Sequence, residues 1–229
     1  MKITTRHLSL AIAATAILLT SSDLSAKKVP LPETTHDGLE RVEKAKSDVV
    51  YLLPGAKFSQ YTEVILLEPH MAFHKEWQSW YNSSSNMMDR ISDKDMEKML
   101  KRGKEAFIDT FSKTLEKKGY PVVKTPGDSV LLLRPAVINI EATVPDPDRM
   151  KGMGRGGIYA ESAGSMTFVL ELYDSVSGQI LLRAVDQERD IDEGWRIPRD
   201  YSSNNRAARM TFDLWAKRLA KGLDNAKKE

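Results

Sequence analysis

Two groupings of residues have a spacing that could support chemistry, and both depend on the elements around them. His70 and His74 stand four apart. On one helix such a pair shares a face and can hold a metal. Glu68 and Glu76 are close enough in sequence to add an oxygen ligand, and Met71, Met87 and Met88 nearby would suit copper. Pro69 and the strand-like residues before it argue against a helix, and no third ligand is compelling, so we expect neither a metal nor a cofactor. The second grouping is Gly152, Gly154 and Gly157, which fit G-x-G-x-x-G. A dinucleotide site needs that motif between a strand and a helix, whose N-terminus holds the pyrophosphate. Here a polar loop precedes it and a strand follows. Arg149, Lys151 and Arg155 make the loop cationic, which suits weak binding of an anion.

A third pattern, Gly127-Asp128-Ser129, looks like the start of a serine-esterase motif. The nucleophile would need a histidine as general base. His36, His70 and His74 all lie upstream, whereas enzymes with this motif carry the histidine downstream, so the pattern reads as a turn. No carboxylate pair has the setting of a glycosidase site. These readings make catalytic residues absent and the protein a non-enzyme. Trp77, Trp80 and Tyr81 form an aromatic cluster whose spacing fits one helical turn. They either cap one end of the core or, with Arg149 and Arg155, offer a surface to a partner or ligand.

Strands and helices must place these groups. Tyr61–Leu67 reads as the first strand, and Pro69–Arg90 as irregular. Ser92 with Asp95 makes a capping box. Met96, Leu100, Phe107, Phe111 and Leu115 then form one helical stripe with Gly103 on it. Gly119 ends that helix and Pro121 blocks its continuation. Tyr120–Lys124 is a short strand. Val130–Val144 is a long central one, with Pro135 marking a bulge or an edge. Ala163–Tyr173 and Gln179–Asp190 make a hairpin about an Asp174–Gly178 turn. Ala208, Phe212, Trp215, Leu219 and Leu223 define the buried side of a last helix, opposite Asp213, Lys217, Lys221 and Asp224. Leu39–Val50 carries apolar residues at helical spacing and is expected to be a short N-terminal helix. The fold class is α+β: a single mixed, mostly antiparallel sheet with two long amphipathic helices on it and that short helix besides.

Residues 1–26 have a positive start, an apolar stretch from Leu8 to Leu19, and a small-residue end at Ala26. This is the pattern of a cleavable secretion signal, too short in its apolar zone for a membrane span of ~20 residues. Residues 27–38 read as a polar tether and 39–229 as one domain. The chain has no cysteine and a formal net charge of +2. The first rules out disulfides, thiol chemistry and a lipid-modified cysteine. The second leaves no electrostatic footprint for nucleic acid. Export without disulfides suits a bacterial periplasm.

Several landmarks together resemble the bacterial domain-of-unknown-function family DUF3313. They are Leu53-Pro54-Gly55 with Phe58-Ser59-Gln60-Tyr61, Leu115–Val123, Pro126–Leu131, Glu171–Ser175 with the turn through Gly178, and Phe212–Leu219. The resemblance spans roughly Leu39–Asp224. It implies an uncharacterised envelope protein and supplies no catalytic residues. Members of that family often carry a cysteine at the cleavage site, which this chain lacks. The expected role is therefore non-enzymatic binding of another envelope component, with a small-ligand, anion or metal binder as the alternative and a hydrolase last.

Overall fold

Residues 31–85, 87, 90–143, 158–160, 164–189, 197–199 and 201–227 are described by the structure, a computed structural model. Along the chain run β1 (Glu40–Arg41), β2 (Val49–Leu52), β3 (Glu63–Leu66), β4 (His70–Phe73), α1 (Trp77–Ser84) and α2 (Asp93–Lys117). There follow β5 (Val130–Ala142), β6 (Ile158–Ala160), β7 (Gly164–Asp174), β8 (Ile180–Arg189), β9 (Ile197–Arg199) and α3 (Tyr201–Ala226). Seven strands form one mixed sheet in the order β1-β2-β8-β7-β5-β3, with β4 also on the outer side of β5. β6 and β9 pair separately. Residues 1–26, residues 27–30 of the segment read as a tether, the glycine motif, Arg149 and Arg155 lie outside the described residues.

β5 is the spine. Its apolar run pairs antiparallel with β7 on one side and parallel with β3, then β4, on the other. Pro135 falls in the gap between those two parallel partners, where the ladder on that side is already interrupted. The bulge expected at Pro135 instead falls between Ile138 and Glu141, around Asn139 with φ 50°. Gly164 sits opposite it with φ 139°, so close that a Cβ there would lie 1.8 Å from the Glu141 carbonyl oxygen. No other residue could take that position without moving the strand.

Helix α2 starts as its sequence predicts. The Ser92 hydroxyl accepts from the Asp95 backbone N–H, and the Asp95 carboxylate accepts from the Ser92 N–H at 2.9 Å. Gly119 follows the helix with φ 87°, the left-handed conformation that glycine adopts most readily. Contacts between α2 and α3 advance together: Asp109 to Arg209 at 2.8 Å, Thr114 to Asp213 at 2.7 Å. The two helices therefore run in the same direction. Asp213 and Asp224, expected to face water, bind inward: Asp213 accepts from Thr114, and Asp224 from the Tyr120 hydroxyl at 2.8 Å. Between helices and sheet, Phe107, Phe111, Phe168, Phe212 and Trp215 stack into one aromatic core.

Several expectations are corrected. Leu39–Val50 is not a helix. Leu39, Tyr51 and Ile180 instead make a small buried cluster at the sheet edge, and Val49–Leu52 pairs with β8. The β-branched Val49-Val50 next to Tyr51 fits a strand, and an open edge of β8 was there to pair with. Tertiary pairing overrides a weak helical period. Second, Pro69–Arg90 is not irregular, because it holds β4 and α1. The expected strand at Tyr120–Lys124 shrinks to a single bridge from Val122 to Val64. Part of the segment read as a tether is structural. Tyr51 donates to the Pro32 carbonyl at 2.9 Å, and Arg183 donates to the Asp37 carboxylate at 2.7 Å.

Candidate functional site

Strand register fixes which residues share the helix-covered face of the sheet. Leu133 and Val137 of β5 oppose Leu172 and Phe168 of β7. Leu172, Leu170 and Phe168 oppose Leu182, Ala184 and Asp186 of β8. Leu182 and Ala184 oppose Leu52 and Val50 of β2. Directly opposed side chains lie on one face, so this is a single apolar surface from β5 to β2. Toward β5 it is closed: Leu131, Leu133, Val137 and Leu172 are 0% exposed beneath the helices. Toward β2 it stays half-buried at Leu182, Ala184, Val50 and Leu52. The sheet is wider than the two helices that cover it.

The uncovered part forms a groove of about 900 Å³. Its floor is β8 and β2. One wall is α3, through Trp215, Leu219 and Leu223. The segments 42–47 and 55–59 bound it elsewhere. A concave space of that size with an apolar floor is the usual form of a small-molecule site.

At one end of the groove is a buried polar node. Asp186 is 4% exposed, on a position that strand alternation assigns to the apolar face. It accepts from the Trp215 indole N–H at 2.9 Å, from Arg218 at 2.5 Å, and from the Asp48 backbone N–H at 3.2 Å. Arg218 also reaches Glu188 at 2.6 Å. The node fixes α3 to β8 and sets the indole that walls the groove.

The mouth is basic. Six basic residues line the groove against one acidic residue, Asp186, in a chain whose formal net charge is +2. Arg218 is neutralised by its two carboxylates, and Lys227 lies 4.4 Å over the Tyr120 ring. Lys46 and Lys221 both line the groove. Hydrogen bonding to Lys221, the charge of Lys221, burial and the charge of Arg218 hold the Lys46 amine below its ordinary pKa.

On the opposite face of the sheet, charges are paired. Arg183 binds Glu171 at 2.9 Å and Asp37 at 2.7 Å, and Arg134 lies 3.5 Å from Glu171. Burial alone would raise the Glu171 pKa. Hydrogen bonds from the Tyr173 hydroxyl and Arg183 outweigh it and lower the value.

The residues singled out by sequence lie elsewhere. His70 is exposed on β4 and His74 follows that strand. Four residues of extended chain span ~13 Å, so the shared helical face that would make them a metal pair does not exist. Among the described residues, no group of three or more His, Cys, Asp or Glu side chains is placed to hold a metal ion. The aromatic cluster divides. Trp77 is 5% exposed, stacks on Phe73 at 4.5 Å and donates to the Ala142 carbonyl at 3.2 Å. Tyr81 is half-buried beside it. Trp80 is 49% exposed, with the His74 ring stacked on it at 4.7 Å. The Gly127–Ser129 segment is a turn leading into β5, closed by the Val130 N–H on the Gly127 carbonyl at 3.0 Å.

Lys46, Asp186, Trp215 and Lys221 were not recognised as a site from sequence, because they come from three separated segments. One signal was available: Asp186 alternates with Leu182 and Ala184, which puts a carboxylate on an apolar face.

The family model described as "Protein of unknown function (DUF3313)" matches residues 33–219. The chain belongs to that family. Within the DUF3313 match fall the sheet, α1, α2 and most of α3, including the groove floor and Asp186. No curated protein matches the sequence. Among solved structures, the PelC dodecamer from Paraburkholderia phytofirmans is similar at 10% identity and a TM-score of 0.37, over 74% of this chain and 95% of that one. A putative neuraminyllactose-binding hemagglutinin homolog from Helicobacter pylori is similar at 18% identity and 0.38, over 76% and 93%. A DUF4136 family protein from Bacteroides thetaiotaomicron is similar at 12% and 0.33, over 72% and 93%. Among the described residues, no helix is long and apolar enough to cross a membrane.

Proposed function

We propose that this DUF3313 protein is a non-enzymatic binding protein of the bacterial envelope, exported to the periplasm, and that it holds an apolar ligand in the groove beside α3. One observation carries the reading: the apolar face of β2 and β8 continues the core surface without a helix to cover it. The leader pattern at residues 1–26 supports export. The groove lining includes no histidine, and its one carboxylate is engaged by Trp215 and Arg218, which supports binding rather than catalysis. The ligand is the envelope component that the protein recognises.

Titration with Nile red, a neutral dye that fluoresces in apolar surroundings, tests this. Dye emission rises on binding to the wild-type protein. Ala184→Trp fills the groove floor and removes the rise, while a matched unfolding temperature shows that the fold is kept. No enhancement with the wild-type protein, or full enhancement in a folded Ala184→Trp variant, overturns the reading.

A further inference from the structure

Helix α3 has two flanks shaped for a neighbouring helix, and among the described residues only one of them has one. At 3.6 residues per turn, Arg209 and Asp213 lie on one flank and Trp215, Leu219, Gly222 and Ala226 on the other, roughly 130° apart around the axis. Phe212 and Ala216, buried in the core, lie between them. The first flank packs on α2: Arg209 binds Asp109 at 2.8 Å, and Asp213 accepts from Thr114 at 2.7 Å. The second flank walls the groove. Its spacing of i, i+4, i+7 and i+11 is that of a helix–helix seam, and Gly222 and Ala226 are small enough for close approach. A Cβ built at Gly222 would meet nothing within 4 Å.

The sheet points the same way. The strands from β1 to β3 stand six abreast, about 29 Å at ~4.8 Å each, and two helices ~10 Å wide cover about 20 Å of that. The strip left over β2 and β8 is one helix wide, and its floor carries Val50, Leu52, Leu182 and Ala184. Beyond β1 the bridge from Thr34 to Glu40 occupies the edge, so the strip is open to packing on its face rather than to an added strand.

We infer that the groove takes the apolar stripe of an amphipathic helix from a partner protein, which lies beside α3 as a third helix of the layer and carries acidic residues along its flanks. α3 lines the groove from Trp215 to Lys227, about three turns or ~18 Å, so the partner helix offers about four apolar side chains. The acidic flanks follow from the rim. The lining holds six basic residues against the one carboxylate of Asp186, whereas the whole chain is nearly balanced at 34 basic to 32 acidic. A surface of one sign selects a partner of the other. This assignment rests on the groove being the binding site, and its test separates the two claims.

Three synthetic peptides of about 18 residues, long enough for the groove with a turn or more to spare, are each used to displace Nile red from the protein. The first carries leucines at i, i+3, i+4 and i+7 spacing with glutamates on both flanks. The second has the same composition in scrambled order, and the third has lysines in place of the glutamates. The striped acidic peptide displaces the dye at about tenfold lower concentration than either of the others, and added salt weakens it. Gly222→Leu raises helix propensity, so the variant keeps its fold. It closes the seam, weakening the striped acidic peptide about tenfold while dye emission stays within about twofold of wild type. Four results overturn the assignment while leaving the groove intact: dye binding with no displacement by any peptide, a scrambled peptide as effective as the striped one, a lysine-flanked peptide as effective as the acidic one, or undiminished displacement from Gly222→Leu. Dye released as the protein self-associates also overturns it, because the occupant is then a second copy of this chain. If the dye itself fails to bind at any protein concentration, the groove reading falls.

Discussion

Two regions of this molecule combine aromatic residues with basic or titratable groups, and they do different jobs. The β4–α1 region gathers Phe73, His74, Trp77, Trp80 and Tyr81 within a few residues of sequence. Most of that surface is spent on packing: Trp77 is stacked and hydrogen-bonded, and only Trp80 stands out with His74 against it. The β2–β8–α3 region draws Lys46, Leu182, Asp186, Trp215 and Lys221 from distant segments, yet it encloses a groove. The difference teaches that local density of aromatics marks where a short helix closes a core, whereas a concave site arises where the sheet extends past its helices.

The sharpest way to break this comparison is to truncate the two tryptophans of α1 separately. Trp77→Ala should cost about 3 kcal/mol in denaturant unfolding, the usual loss for a buried indole. A loss below 1 kcal/mol would mean that Trp77 is not a core residue. Next is the node that sets the groove wall. Asp186→Ala leaves the Trp215 N–H without its acceptor and Arg218 with Glu188 alone, and should lower stability by about 2 kcal/mol. Asp186→Asn keeps an acceptor and should lose less. Equal stability of all three proteins would remove the node from the account.

The paired face of the sheet supplies a smaller contrast. The Thr35 hydroxyl, then the Arg183 guanidinium, lower the Asp37 pKa from 3.8 to about 2. A depressed folded value means that the charged form stabilises the fold above the unfolded pKa and that this is lost as pH falls through the folded one. Asp37→Asn should therefore be less stable than wild type by up to about 1 kcal/mol near neutral pH. The gap should close between about pH 4 and pH 2. A gap that does not change with pH would mean that the contact is not ionic. The smallest effect belongs to Trp80→Ala, within about 0.5 kcal/mol of wild type, as for most exposed side chains. A cost near that of Trp77→Ala would erase the division within α1.

Much of the fold was legible because its signals are local. The Ser92–Asp95 box, the α2 stripe, Gly119, the Asp174–Gly178 turn and the α3 stripe each act within one or two turns of chain. What failed was non-local. Val49–Leu52 became a strand because β8 offered it an edge, and β4 formed because β5 continued beyond β3. The groove was less legible still. Lys221 reads as one wet residue on an amphipathic helix and Lys46 as one in a polar loop. Only the strand order brings them together, and no periodicity encodes strand order. Asp186 was the exception, since its place in the alternation of β8 betrays a buried carboxylate.

The most direct test of the groove is to follow the tryptophan indole N–H signals of the ¹⁵N-labelled protein by NMR while adding Nile red. The account predicts that the Trp215 signal moves in a saturable way and the Trp80 signal stays in place. A saturable shift at Trp80 with Trp215 unmoved would put the binding surface on α1 and contradict the account.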